Sequence, residues 1–491
     1  MKITVIGAGL GGLSVACLLA AKGHQVFIFE KNSSVGGKMN QIEAKGFRFD
    51  TGPSLLTMPF VLKKLFSACD HELSEYLELT ALDPICKYFY PDGTVFNNYE
   101  DHSTTVKEIR SFAPEDSKAY SEFLTYAENL YNKTADAFIF NPLYEFKDLK
   151  ELDLLSFFGI DAFTTVSKRV DSKFSSPYLR KFFKRFTTYN GSSPFLAPAT
   201  LNVIPHVELN QGGYYVKGGL YKVAEALQEL AHSLGTEIHF DSNIRSIKTE
   251  QGKAVGITLE NNSFIESDLV ISNSDATETI TRLLPNSSIS SRRKDKAKQI
   301  EPSCSGFVLM LGINKQYQQL EHHNIFFSKD YEYEFKQIFE QKVMPDDPTI
   351  YVANTSHSDP EHAPKNSSNL FILINAPYLS DQYNWQNNTK EYGNKAIDML
   401  EERGLDSLSE HIVFRDSITP SDFYEKYRSN KGSIYGTSSN DKFSAFLRPR
   451  NKSKEVDGLY FVGGSTHPGG GIPLVVQSAF NAFELIERYE S

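Results

Sequence analysis

The chain has 491 residues, a formal net charge of −10, 40% hydrophobic and 23% charged residues. It is longer than one compact core, so two or three domains are expected, with globular rather than disordered composition. The acidic balance disfavours nucleic acid as a partner, and no run of ~18 apolar residues could cross a bilayer. Four cysteines (Cys17, Cys69, Cys86, Cys304) lie far apart without a CxxC pair. This pattern fits free buried thiols in a reducing, cytoplasmic setting.

Residues 2–30 open with an apolar run, Ile3 to Ile6, that ends in Gly7-Ala8-Gly9-Leu10-Gly11-Gly12. A small-residue helix pattern follows and stops at Gly23, and a second run, Val26 to Phe29, ends in Glu30. The stretch reads as a strand and glycine loop, with no charged leader or cleavage site. Strand, glycines, helix, strand and acid in this order form a βαβ dinucleotide site. Gly7 allows the tight turn, Gly9 admits a pyrophosphate to the backbone, and Gly12 lets the helix lie close on the sheet. The helix N-terminus then faces the phosphates. Glu30 is placed to accept from ribose hydroxyls and would repel a 2′-phosphate. FAD or NAD is expected, and NADP is excluded.

The next segment, Lys31 to Ser54, favours flavin. Gly36-Gly37 precede Lys38, a cation able to reach the pyrophosphate. The alternation Phe47, Phe49 leads into Asp50-Thr51-Gly52-Pro53-Ser54, a fixed turn able to bring backbone up to a flat ring. An NAD domain would run on into further βα units here.

Two insertions are expected, about 73–205 and 281–450. The first reads mostly as helix. Within it, Lys168 to Arg185 carries seven basic residues against the single acid Asp171, interleaved with Phe174, Tyr178, Leu179, Phe182, Phe183 and Phe186. Such a segment fits either the interface of an anionic bilayer or a solvated helix face. From Tyr214 the pattern returns to the nucleotide unit: Gly218-Gly219, a helix over Leu220–Leu234, then strands at Glu237–Phe240, Ile244–Lys248, Ala254–Leu259 and Leu269–Asn273. The second insertion mixes helices with strands at Gly306–Ile313, Thr349–Asn354 and Leu370–Ala376. His322-His323 reads as loop, because no third metal ligand has suitable spacing. Leu459 to Gly464 is a buried strand ending in glycines, and it opens a final helix from about Ile472 to Tyr489.

Together these residues resemble the bacterial carotenoid desaturases and oxidases related to phytoene desaturase, within the flavin amine oxidase superfamily. The resemblance spans essentially the whole chain. It rests on Gly7–Gly12 with Glu30, Gly36-Gly37-Lys38, Phe49–Ser54, Tyr215–Gly219 and above all Tyr460–Pro473, which contains Thr466-His467-Pro468-Gly469. Lys38 stands where the family often has Arg, and Gly470 where Ala is frequent. The implied fold is α/β: a Rossmann-like FAD-binding domain (1–72, 206–280, 455–491) carrying an inserted α+β substrate domain and a helical membrane-associating region (73–205, 281–454). The implied cofactor is FAD. Gly7, Gly9, Gly12, Glu30 and Lys38 would hold its ADP half, with Leu10, Gly11, Lys31 and Gly37 in the same loops. Gly52, Pro53 and Ser54 would approach the ring, and Asn243-Ile244 would offer backbone to the adenine. Gly464, Gly471 and Ile472 would aim a second helix N-terminus at the flavin and pyrophosphate. His467 reads as a structural ring in a glycine turn, and no metal is expected.

The implied activity is an FAD-dependent desaturase that introduces C=C bonds into a long polyene by hydride transfer to flavin. No catalytic base is identifiable. Oxygen or a membrane quinone would take the electrons, and the enzyme would sit peripherally on the cytoplasmic side of the cell membrane. The alternative within the family is oxidation of a terminal methyl group, as in diaponeurosporene and diapolycopene oxygenases. Pro53–Pro59 and Tyr90–Thr94 also resemble those enzymes. Outside the family, a soluble amine or porphyrinogen oxidase and a non-enzymatic flavoprotein remain.

Overall fold

The computed structural model describes residues 1–142, 160–441 and 448–490. The parts of the two insertions at 143–159 and 442–447 lie outside the described residues. A five-stranded parallel sheet forms the first body, in the order Leu459–Phe461, Leu269–Ser272, Lys2–Ile6, Gln25–Phe29, Glu237–His239. Ile3 pairs with Val26 on one side and Leu269 on the other. These strands are continuous apolar runs because both sheet faces are covered. Helices Leu10–Ala21, Lys222–Ser233 and Ile472–Tyr489 cover one face. The antiparallel meander Ile244–Glu250, Lys253–Leu259, Phe264–Glu266 covers the other. Val5, Ile28 and Ile271 are fully buried, each worth about 1.5–3 kcal/mol of burial.

The first helix is buried from Leu10 to Ala20. Its small residues (Gly11, Gly12, Ser14, Ala16, Cys17) let it lie between the sheet and two other helices, which is why it is apolar all round. Gly23, at φ +85°, ends it. All four cysteines are free and buried.

A seven-stranded sheet forms the second body, in the order Ile412–Ile418, Ser305–Ile313, Ser368–Ala376, Ile350–Ala353, His323–Phe326, Cys86–Phe89, Val95–Asn98. Its last two strands come from the first insertion. That insertion therefore supplies a hairpin to the sheet as well as the expected helices, His102–Phe112 and Ser117–Ala135 among them. His323, expected in a loop, opens a strand that pairs in parallel with Cys86–Phe89.

The basic segment turns its apolar side chains inward and leaves Lys168 and Lys173 exposed. Phe174, Leu179, Phe182, Phe183 and Phe186 are buried in one aromatic core with Tyr88, Phe96, Tyr120 and Phe123. Most of its cations are engaged. Lys184 pairs with Asp171 at 2.8 Å, Arg169 with Asp161, and Lys181 donates to the carbonyls of Ser328 and Lys329. Arg185 is buried against Glu208. The segment's phenylalanines thus fill a core rather than an outward face. Among the described residues no helix is long and apolar enough to cross a membrane.

Candidate active site

One cavity of about 620 Å³ runs from the carboxyl ends of the parallel strands into the second body. Carboxyl ends are where open α/β sheets bind ligands. At that end it is lined by Gly7, Gly9, Leu10, Glu30, Lys31, Gly37 and Lys38, by Gly52-Pro53-Ser54, by Asn243-Ile244, and by Gly464, Gly471 and Ile472. Residues from five separate stretches thus meet on one wall.

Two expected residues do not line it. A Cβ on Gly12 would lie 2.1 Å from the Gly7 carbonyl oxygen, and one on Gly11 would lie 2.7 Å from Asn273 Oδ1 and 2.9 Å from the Gly463 nitrogen. Both are packing glycines that let the first helix touch the sheet and the C-terminal glycine loop. Gly52 lines the cavity, but it too is fixed by packing, 2.3 Å from the Lys38 carbonyl oxygen were it to carry a Cβ. The amide of Asn273 sits at the centre: its Nδ2 donates to the Gly7 carbonyl at 3.3 Å, and a Cβ on Gly9, Gly11 or Gly463 would collide with it at 2.7 Å.

Glu30 is buried, and its carboxylate is aimed by donors at both oxygens. Ala8 N–H donates to Oε2 and Asn32 N–H to Oε1, each at 2.8 Å. Lys38 does not stand free. Its Nζ donates to the Ser433 and Ile434 carbonyls at 3.0 Å, and burial pushes its pKa down to about 8, with Asp275 opposing. Lys31 donates to the Glu425 carbonyl. Asp50 holds the neighbouring turn: it pairs with Arg48 at 2.9 Å and accepts from the Leu220 and Tyr221 N–H groups at 3.0 Å.

The model of the flavin-containing amine oxidoreductase family matches residues 10–486. The chain is 36% identical over 495 residues to the 4,4′-diaponeurosporene oxygenase of Staphylococcus aureus strain MSSA476, covering 100% of this chain and 98% of that one. The enzyme of the same name from Staphylococcus haemolyticus is 36% identical over 491 residues, covering 100% and 97%. The chain belongs to the flavin-containing amine oxidoreductase family, in its carotenoid desaturase and oxidase branch. Solved structures agree on the fold. Wild-type putrescine oxidase bound to putrescine superposes with TM-score 0.65 at 14% identity, covering 99% of this chain and 100% of that one. Cyclohexylamine oxidase from Brevibacterium oxydans gives 0.61 at 14%, covering 100% and 99%.

This flavoenzyme takes FAD, and its cavity suits that group. Two helix N-termini open on it, at Gly9-Leu10 and Gly471-Ile472. Neither has a side-chain cap or an acid in its first turn, so both leave N–H groups and positive dipole ends for an anion. A Cβ on Gly471 would meet nothing within 4 Å.

Further in, the family member's cavity is apolar, with Ile139, Ile160, Leu201, Ile204, Val207 and Leu373 among its lining. A polar cluster interrupts it. Arg185 Nη2 donates to Glu208 Oε1 and, at 2.5 Å, to the Tyr88 hydroxyl, and the Tyr189 hydroxyl donates to Glu208 Oε2. Burial works most strongly against the Arg185 charge, but Glu208 and the groups around it, Tyr88 and Tyr189 among them, together hold the guanidinium pKa well above its usual range. Close by, His323 Nε2 contacts the Ser54 carbonyl at 3.2 Å and Nδ1 that of Ile85, and burial takes its pKa down to about 4. His467 does not line the cavity. Its ring contacts the Asn141 carbonyl at 3.2 Å, and burial takes it to about 4.

Sequence reading named Asp50 and Asn273 only as parts of a turn and a strand, without their roles, and missed the Arg185–Glu208 cluster. Asn273 was within reach, as the polar residue ending a buried strand opposite the glycines. Arg185 was seen but set among surface cations, because nothing local marks Glu208 as its partner. Among the described residues no cluster of His, Cys, Asp and Glu could hold a metal.

Proposed function

We propose that this FAD-dependent oxidoreductase oxidises a terminal methyl group of a linear polyene such as diaponeurosporene. The likeness to the diaponeurosporene oxygenases over the full length of both chains carries this reading. It supports terminal oxidation over the desaturation put first on sequence grounds. FAD, when bound, supplies the redox chemistry. The chain's part is to hold, orient and enclose. Gly7, Gly9, Leu10, Glu30, Lys31, Gly37, Lys38, Gly52, Pro53, Ser54, Asn243, Ile244, Gly464, Gly471 and Ile472 form the cofactor wall of the cavity. The segments 1–72, 206–280 and 455–491 serve as the cofactor unit, and the insertions as the substrate unit. The apolar half of the cavity aligns a straight chain and keeps water out, which orientation-limited chemistry requires.

Such a substrate resides in lipid, so we assign the protein to the cytoplasmic face of the membrane as a peripheral protein. Exposed aromatics support this: Phe163 is 85% and Phe60 44% exposed, and each lies two or three residues beyond a cavity-lining residue, Ile160 and Met58. Oxygen fits as the electron acceptor for an oxygenating reaction. The test is product mass. The purified protein with FAD, liposomes and oxygen should add oxygen to the polyene. Loss of two hydrogens would restore desaturation.

A further inference from the structure

The polar cluster in the apolar half of the cavity has donors left over. The Arg185 side chain is 6% exposed and Tyr331 4%, and both line the cavity. Arg185 Nε and the Tyr331 hydroxyl are buried without a hydrogen-bond partner. The rings of Tyr88 and Phe327 connect them: Tyr88 stacks on Phe327 at 5.9 Å, Phe327 meets Tyr331 edge-on at 5.8 Å, and Arg185 lies 5.3 Å from the Tyr88 ring centre. The acceptors of the cluster are already engaged, since both Glu208 oxygens receive donors. Buried donors left unmade are costly, and native interiors hold few of them. A pure hydrocarbon gives them nothing.

Resting on the polyene reading above, we propose that Arg185 and Tyr331 form a carbonyl subsite that hydrogen-bonds the oxygenated end of a polyene aldehyde. A guanidinium N–H can only donate, so the complementary group is an acceptor. A carbonyl presents two lone pairs and no proton. An alcohol fits less well: if it accepts from both donors its own proton is left unmade, and if it donates to the Tyr331 oxygen the Tyr331 proton is left unmade instead. Arg185 also acts on the Tyr331 hydroxyl electrostatically, against burial. The ion pair with Glu208 holds the guanidinium in place at the cavity lining, so it has little conformational freedom to lose on binding.

The test is binding of 4,4′-diaponeurosporene, its terminal alcohol and its terminal aldehyde to the FAD-loaded protein in detergent, followed by the polyene absorption band. The wild type should hold the aldehyde more tightly than the hydrocarbon by about tenfold or more, the yield of a neutral hydrogen bond from Tyr331 and a charge-assisted one from Arg185. The alcohol should fall between. Tyr331→Phe removes only an unpartnered hydroxyl, so it should melt no lower than wild type. It should lose aldehyde affinity by about threefold or more, and move the bound aldehyde's absorption to shorter wavelength, while hydrocarbon affinity stays within twofold. Equal binding of all three compounds by the wild type, or equal weakening of all three in Tyr331→Phe, overturns the subsite. Failure to bind any linear polyene overturns the substrate reading instead.

Discussion

The two ends of the cavity are built by opposite means. The cofactor end is made of backbone: glycine loops, two uncapped helix N-termini, and one carboxylate, Glu30, oriented by the amides of Ala8 and Asn32. The substrate end is made of long side chains from distant elements. Tyr88 comes from a strand, Arg185 from the end of one helix and Glu208 from a short π-helical stretch, and they meet over buried charge. Backbone sites tolerate little substitution but need only local sequence. The side-chain site depends on pairing, and its failure mode is an orphaned charge in a dry interior.

The largest effect is expected at the cofactor end. Gly12→Val places a branched Cβ where 2.1 Å separates it from the Gly7 carbonyl. The loop cannot form, and the purified protein should lack the flavin absorption near 450 nm. Gly9→Val, whose Cβ would collide with Asn273, should do the same while leaving more folded protein. If either variant retained full flavin occupancy, the cofactor wall would lie elsewhere.

Next comes the substrate end. Glu208→Ala leaves the Arg185 guanidinium buried and unpaired, and should cost about 3–5 kcal/mol of stability, read as the melting temperature of the protein. Replacing both partners together, Arg185→Met with Glu208→Leu, should recover most of that loss. An unchanged melting point in Glu208→Ala would show that this end does not rest on the pair. Glu30→Ala is milder: the Ala8 and Asn32 amides lose their acceptor, and flavin affinity should fall by about 1.5–3 kcal/mol, as for a hydrogen bond to a charged group. Isothermal titration of the apoprotein with FAD measures it.

Two smaller effects sharpen the contrast between surface and interior. Charge reversal at Lys168 and Lys173, the exposed cations of the basic segment, should leave flotation with anionic vesicles unchanged, whereas Phe60→Asp with Phe163→Asp should reduce it. The reverse result would return docking to the basic segment. At Lys38 the folded pKa of about 8 lies below the free value of 10.5. Between these pH values the unfolded chain binds the extra proton, so this residue makes the apoprotein more stable as pH rises from about 8 to 10. Lys38→Met should remove this residue's share of the slope, read as the difference from wild type in denaturant titrations at both pH values.

The sequence by itself determined the cofactor and named most of the residues that line one end of the cavity. Gly7, Gly9, Gly12 and Glu30 are legible because a tight turn, a close backbone approach and a ribose acceptor each demand a residue type at a fixed local spacing. The final helix, Ile472–Tyr489, was legible in the same way, from a glycine turn followed by helical periodicity. Only the tertiary structure set Gly11 beside Gly12 as a packing glycine, apart from Gly9 and Gly471, which line the cavity. It also drew the hairpin Cys86–Asn98 into the second sheet. Most of all, it turned Lys168–Phe186 inward. Locally those cations and aromatics have the same pattern on a membrane face as in a core. What decides between them is the presence of Asp161, Asp171 and Glu208 opposite Arg169, Lys184 and Arg185. Burial of charge is settled by its partner, and for Arg185 the partner lies 23 residues away, a contact that chain folding makes and local spacing does not reveal.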